Sequence, residues 1–189
     1  MPYAITLCPD AGAAAPIAAM WRALSEAGLH DDSLALGYPP HVTLSIHPDT
    51  VDPARLEAAM AATVAQAAGI DLRPAAFGLF PAPVQVLILA PVVTPALLAL
   101  QGSLADALSG LPCDPHYRSG SWVPHITLAK GGAAGEPGWM GRALDCLGPL
   151  WSSLRPGAAE RLELVHFRPV TVLRSLVIPR GLARPATSV

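Results

Sequence analysis

Residues 39–47 read PPHVTLSIH, and residues 123–130 read VPHITLAK. One phrase, proline–histidine–β-branched–threonine–leucine, thus occurs twice in 189 residues. In the first copy Val42, Leu44 and Ile46 alternate with His41, Thr43, Ser45 and His47. A period of two is the mark of a strand with one face on a core and the other exposed. Residues i and i+2 of a strand share a face. His41 is therefore expected to project with Thr43, anchored by Val42 and Leu44, and His125 with Thr127, anchored by Ile126 and Leu128.

Working outward, YAITLCP (3–9) is a β-prone run. The alanine-rich stretch after it spaces Ile17, Met20, Trp21 and Leu24 as one buried helical face, closed by Gly28. Beyond the first motif, Asp52 and Pro53 open a helix with Leu56, Met60, Val64 and Ala67 inward. Two strand-like runs, Ile70 to Phe80 and Val84 to Ala90, flank PAP. Thr94 and Pro95 open a third helix with Leu97, Leu100, Leu104 and Leu108 inward. The irregular GLPCDPHYRSGS leads to the second motif, and a glycine-rich loop, GGAAGEPG, comes after it. A helix carrying Met140, Leu144 and Leu147 is expected to break near Gly148-Pro149, because proline lacks the helical donor. The strands RLELVHF and VTVLRSLVI and a loose tail complete the chain. The two motifs hold corresponding places in the two halves. The expected fold is α+β and bilobal, with two pseudo-symmetric lobes, each an antiparallel sheet with helices. They form a single domain over residues 1–180, with the motifs facing a central groove and 181–189 as tail.

Two imidazoles and two hydroxyls meeting across a groove suit phosphodiester cleavage. Imidazole titrates near neutral pH, so a neutral ring takes a proton from water or a ribose hydroxyl while a protonated ring donates to the departing oxygen. Threonine hydroxyls donate to non-bridging phosphate oxygens and stabilise charge at phosphorus. The β-branch suits a strand and restricts where the hydroxyl sits.

Composition narrows the partners. The chain is 52% hydrophobic and 14% charged, yet its longest apolar run, Val86 to Val93, is too short to cross a bilayer. Twelve basic and fourteen acidic residues give a net charge of −2, with no basic stripe of the kind that grips long nucleic acid. A small nucleotide or an RNA end is the expected partner, and no membrane. The three cysteines are odd in number and lack metal spacing, and no H-x₃-H pair appears, so no metal or other cofactor is expected. No leader-like segment is visible, so a cytoplasmic location is expected; a monomer is the expected state.

With these motifs the chain resembles the 2H phosphoesterase superfamily, whose members carry two H-x-[ST]-x motifs, one per lobe. It is most similar to the bacterial 2′-5′ RNA ligase or RNA 2′,3′-cyclic phosphodiesterase-like branch. The resemblance runs from YAITL to LELVHFRP, and the motifs are its specific part. It implies catalytic roles for His41 and His125, phosphate binding by Thr43 and Thr127, and metal-independent chemistry on 2′,3′-cyclic phosphates or 2′-5′ linkages. Arginine is common in that branch where this chain has Lys130. Strict alternation would turn Lys130 toward the core with Ile126 and Leu128, so it reaches substrate only from a strand end, and lysine lacks arginine's bidentate fork.

Further substrate-binding candidates are Tyr38 and Trp122, each three residues ahead of a motif histidine, as stacking walls for a base, and Arg118 in the loop before the second motif. His47 shares the parity of His41 and is expected at the surface. The leading functional expectation is hydrolysis of a cyclic phosphate or related diester. The alternatives are a non-catalytic module that binds nucleotides or RNA ends, and a 2′-5′ RNA ligase.

Overall fold

The computed structural model describes residues 2–30, 32–81, 84–131 and 138–180. The last two residues of PAP, most of the glycine-rich loop and the tail 181–189 lie outside the described residues. Among the described residues, eight strands and five α-helices succeed one another in chain order: β1 (Tyr3–Pro9), α1 (Ala11–Glu26), α2 (Asp32–Ala35), β2 (Val42–His47), α3 (Pro53–Val64), β3 (Asp71–Leu72), β4 (Pro74–Phe80), β5 (Val86–Pro91), α4 (Pro95–Ala107), β6 (Ile126–Lys130), α5 (Trp139–Leu147), β7 (Gly157–His166) and β8 (Thr171–Val177).

The helices start where the chain supplies side-chain acceptors for free N–H groups. Asp10 accepts from Ala13 N at 3.0 Å, Asp52 from Ala54 N at 3.0 Å, and Thr94 from Leu97 N at 3.2 Å. Asp10 also accepts from Ala158 N at 2.7 Å, which ties the head of α1 to β7. A β-carbon on Gly157 would stand 2.4 Å from that of Ala13, so only glycine permits this approach. As expected, α5 stops at Leu147, and Gly148–Ser153 continues as a 3₁₀ turn.

Two antiparallel sheets result. The larger runs β2-β1-β7-β3, with β8 also paired to β7, and the smaller runs β4-β5-β6. The stretch read as one strand from Ile70 is in fact two. Asp71–Leu72 pairs with β7, and Pro74–Phe80 pairs with β5, so the chain changes sheets at Arg73. Both elements read as apolar and β-prone, and the pairing partner, which the local sequence does not encode, separates them.

The lobes are not simply the two halves of the chain. The C-terminal strands β7 and β8 join the sheet of β1 and β2. Helix α1 packs on β6 and α5, while α4 packs on β2 and α3. The helices ahead of β2, α1 and α2, thus lie against the second motif's strand, and α4, ahead of β6, lies against the first. One hydrophobic core runs through both sheets, from Ile5, Leu7, Val42 and Leu44 to Leu87, Leu89, Ile126 and Leu128.

Candidate active site

His41 immediately precedes β2 and His125 immediately precedes β6. The two motif strands share an irregularity. Along β1, Ile5 faces Ser45 and Thr6 faces Thr43, which leaves Leu44 without an opposite. Along β5, Leu87 faces Ala129 and Ile88 faces Thr127, which leaves Leu128 in the same position. Each motif therefore carries a β-bulge at its leucine, and a bulge re-aims the side chains beyond it. Leu44 and Ser45 both turn inward, as do Leu128 and Ala129. Ile46 and Lys130 consequently join the threonines in lining the groove.

One expectation is sharpened and one changes. Lys130 is the last residue of β6, at the strand end as expected, and the bulge adds the reversed parity that turns it to the groove. His47 lands on the face away from His41 and is fully buried, its Nδ1 donating to the Pro112 carbonyl at 2.7 Å.

The groove holds about 220 Å³ and is lined by His41, Thr43, His125 and Thr127 together. The two imidazoles are held alike. His41 Nδ1 donates to the Pro39 carbonyl and His125 Nδ1 to the Val123 carbonyl, both at 2.8 Å. A carbonyl only accepts, so Nδ1 carries a proton in each ring and Nε2 is the atom left to exchange one. Tyr38 lies against His41 with ring centroids 4.9 Å apart, and Phe80 meets His125 edge-on at 4.9 Å.

The threonines are held alike too. Trp122 Nε1 donates to the Thr43 carbonyl at 2.9 Å, and Trp21 Nε1 donates to the Thr127 carbonyl at 3.0 Å. Each bond spans between the lobes, and a net contribution of about 1 kcal/mol apiece is typical. Trp122, expected as a stacking wall, does not line the groove and instead anchors the first motif. Arg118 points away as well. It donates to the Cys113 carbonyl at 3.4 Å and lines a separate cleft behind β2, while its neighbour Tyr117 enters the groove.

Tyr38 lines the groove with its hydroxyl turned inward, donating to Glu163 at 2.7 Å and accepting from Thr6 at 2.6 Å. Burial raises its pKa, so it keeps its proton. Burial alone would also raise the Glu163 pKa. Hydrogen bonds from Tyr38, Arg161 and Ser175 outweigh that effect and hold the carboxyl below its usual value. Burial pushes the nearby Cys8 thiol up to about 11, which marks it as an inert core group. Thr6, Trp21 and Glu163 carry no local signal that places them at the site, since they meet it only through tertiary packing.

Burial lowers the pKa of both motif histidines, against the opposing pull of their carbonyl partners, and the neighbouring His125 lowers His41 further. Burial lowers that of His47 too. Below an unfolded histidine's value of about 6.5, the unfolded chain binds protons that the folded chain refuses. The stability these groups contribute is thus fully present above that pH and is lost as pH falls toward the folded values. The melting temperature should be flat above about pH 7 and decline below 6.5. His47→Asn keeps an N–H for Pro112 without a titrating ring. It should flatten the decline by at most about 1.4 kcal/mol per pH unit, the weight of one proton. An unchanged slope would show that His47 plays no part.

A family model described as the 2′-5′ RNA ligase superfamily matches residues 9–137, a stretch that includes both motifs. No curated protein matches the chain. Among solved structures, Usb1 of Kluyveromyces marxianus is similar at 15% identity with a TM-score of 0.51, over 94% of this chain and 97% of that one. The same protein with uridine monophosphate is similar at 14% identity with a TM-score of 0.53, over 94% and 98% of the two chains. At such identity the likeness establishes a common fold, in agreement with the two sheets and the shared groove described above.

Proposed function

The chain belongs to the 2′-5′ RNA ligase superfamily, and from that premise we propose that it is a phosphodiesterase acting on a 2′,3′-cyclic phosphate or a related diester of a nucleotide or RNA end. The observation that carries this reading is the pair of identically held histidines, each with Nε2 left for the groove and a threonine on the same face. The bound uridine monophosphate in one structural neighbour is in keeping with a nucleotide-sized substrate.

In the reaction, one neutral imidazole takes a proton from water at Nε2 as the water oxygen attacks phosphorus. The P–O bond to the 2′ or 3′ ribose oxygen breaks, and the other imidazole, protonated at the start, gives its Nε2 proton to that oxygen. The pair ends with its protons exchanged and its total unchanged. Thr43 and Thr127 donate to the non-bridging oxygens as charge builds there, and Lys130 supplies a point charge at the groove's edge. Tyr38, packed beneath His41, braces that ring. The protein groups suffice for each proton transfer, so the reading requires no metal ion.

The active form carries one proton on the coupled pair. Both rings sit below the ordinary histidine value. The bell of kcat/KM, which reports the free enzyme, should therefore peak on the acid side of about pH 6.5. Steady-state rates on 2′,3′-cyclic nucleotides, measured in chelator across pH 4.5 to 8.5, test this directly. Turnover that vanishes in chelator and returns with a divalent cation, or a rate rising to a plateau at high pH, would overturn it. Binding without turnover would favour the non-catalytic alternative.

A further inference from the structure

Besides the four motif side chains, the groove is lined by a recess of Leu36, Phe167 and Val170, which cluster with Tyr38 and Ile46, and by Asp32, Ser33, Lys130 and Arg168. The backbone decides the direction of the hydrogen bonds here. The Lys130 N–H, which only donates, meets His30 Nδ1 at 3.2 Å, so that nitrogen accepts. The ring proton is then on Nε2, 3.1 Å from Ser33 Oγ, and Ser33 receives it. The Ser33 hydroxyl proton is left over. Ser33 is only 8% exposed and makes no other hydrogen bond among the described residues. Ser33 thus presents an oriented hydroxyl donor beside these apolar side chains.

We propose that this recess takes the nucleobase of the substrate and that Ser33 reads a carbonyl oxygen on the base's edge. The inference rests on the phosphodiesterase reading above. A flat heterocycle suits walls that include an aromatic ring, with one polar group to fix its orientation. A second phosphate fits worse, because the Asp32 carboxylate adjoins Ser33 and its partner Arg168 is already engaged at 3.2 Å. Uracil and guanine carry a carbonyl where cytosine and adenine carry an amino group. Facing an amino group, Ser33 accepts with its remaining lone pair and its own proton is stranded, a loss worth about tenfold in affinity.

The test compares kcat/KM for the 2′,3′-cyclic monophosphates of uridine, guanosine, cytidine and adenosine, on the wild-type protein and on Ser33→Ala. Wild type should favour the two carbonyl-edged bases by about tenfold. Ser33→Ala should bring the ratio toward one, chiefly through KM, while Ser33→Thr, which keeps the hydroxyl, preserves it. Equal efficiency on all four bases in wild type, or a ratio unmoved by Ser33→Ala, overturns the inference and leaves the phosphodiesterase reading standing. If wild type turns over none of the four, the phosphodiesterase reading fails instead. Calorimetric titration of both proteins with the four nucleoside 3′-monophosphates then decides the role of Ser33 on the same criterion.

Discussion

Replacing either His41 or His125 by alanine is expected to lower kcat/KM by about two to four orders of magnitude, the range typical of a lost general acid or base. Each ring offers one exchangeable nitrogen to the groove, its other nitrogen being engaged by a backbone carbonyl. Of the rings packed against them, Tyr38 turns its hydroxyl to Glu163 and Phe80 has none, so neither can substitute. Both rings are partly exposed and lie outside the main core, so melting should change little. The double variant should be scarcely worse than either single one, because the two act as a unit. Full activity in either single variant would dismiss the acid–base assignment.

The largest stability effects are expected at the bulge leucines. Leu44 and Leu128 are completely buried, and each is the unopposed residue of its bulge. Truncation to alanine removes buried area and leaves a cavity, together worth about 2–5 kcal/mol. For a chain of this size that corresponds to a fall of roughly 10 °C in Tm. Leu98, 50% exposed on α4, serves as the control and should cost under about 0.5 kcal/mol. Turnover should drop in the bulge variants as well, since the adjoining threonine takes its aim from that irregularity. Thermal melts that place Leu44→Ala beside the Leu98→Ala control would contradict the role given to the bulge.

The motif strands were legible because period two and a duplicated phrase are local signals. His41, Thr43, His125 and Thr127 do share a groove. The course of each strand beyond its threonine was not legible. The bulge is decided by how β2 meets β1 and β6 meets β5, and no residue within HVTLSI or HITLAK announces it. Hence Ile46 and His47 exchange faces relative to simple alternation, and Lys130 turns outward for a reason that alternation hides. Trp21 and Trp122 were visible only as a core residue and a wall. Their indole bonds join segments 106 and 79 residues apart, a separation over which local pattern carries no information. Phe167 and Ser33 were missed for the same reason, since only the packed β7–β8 turn and the short α2 bring them to one recess.

The exchange of α1 and α4 between lobes has a consequence for how the molecule comes apart. A segment ending at the sheet change near Arg73 would hold α1 without β6, the strand it covers, and would lack α4, which shields β2 and α3. The remaining segment would have the opposite deficits and would leave Thr127 without the indole that holds its carbonyl. Neither portion is a half-enzyme that awaits its mate. The two motifs are therefore expected to be lost in one cooperative transition, which coincident melts followed by tryptophan fluorescence and far-UV circular dichroism would check.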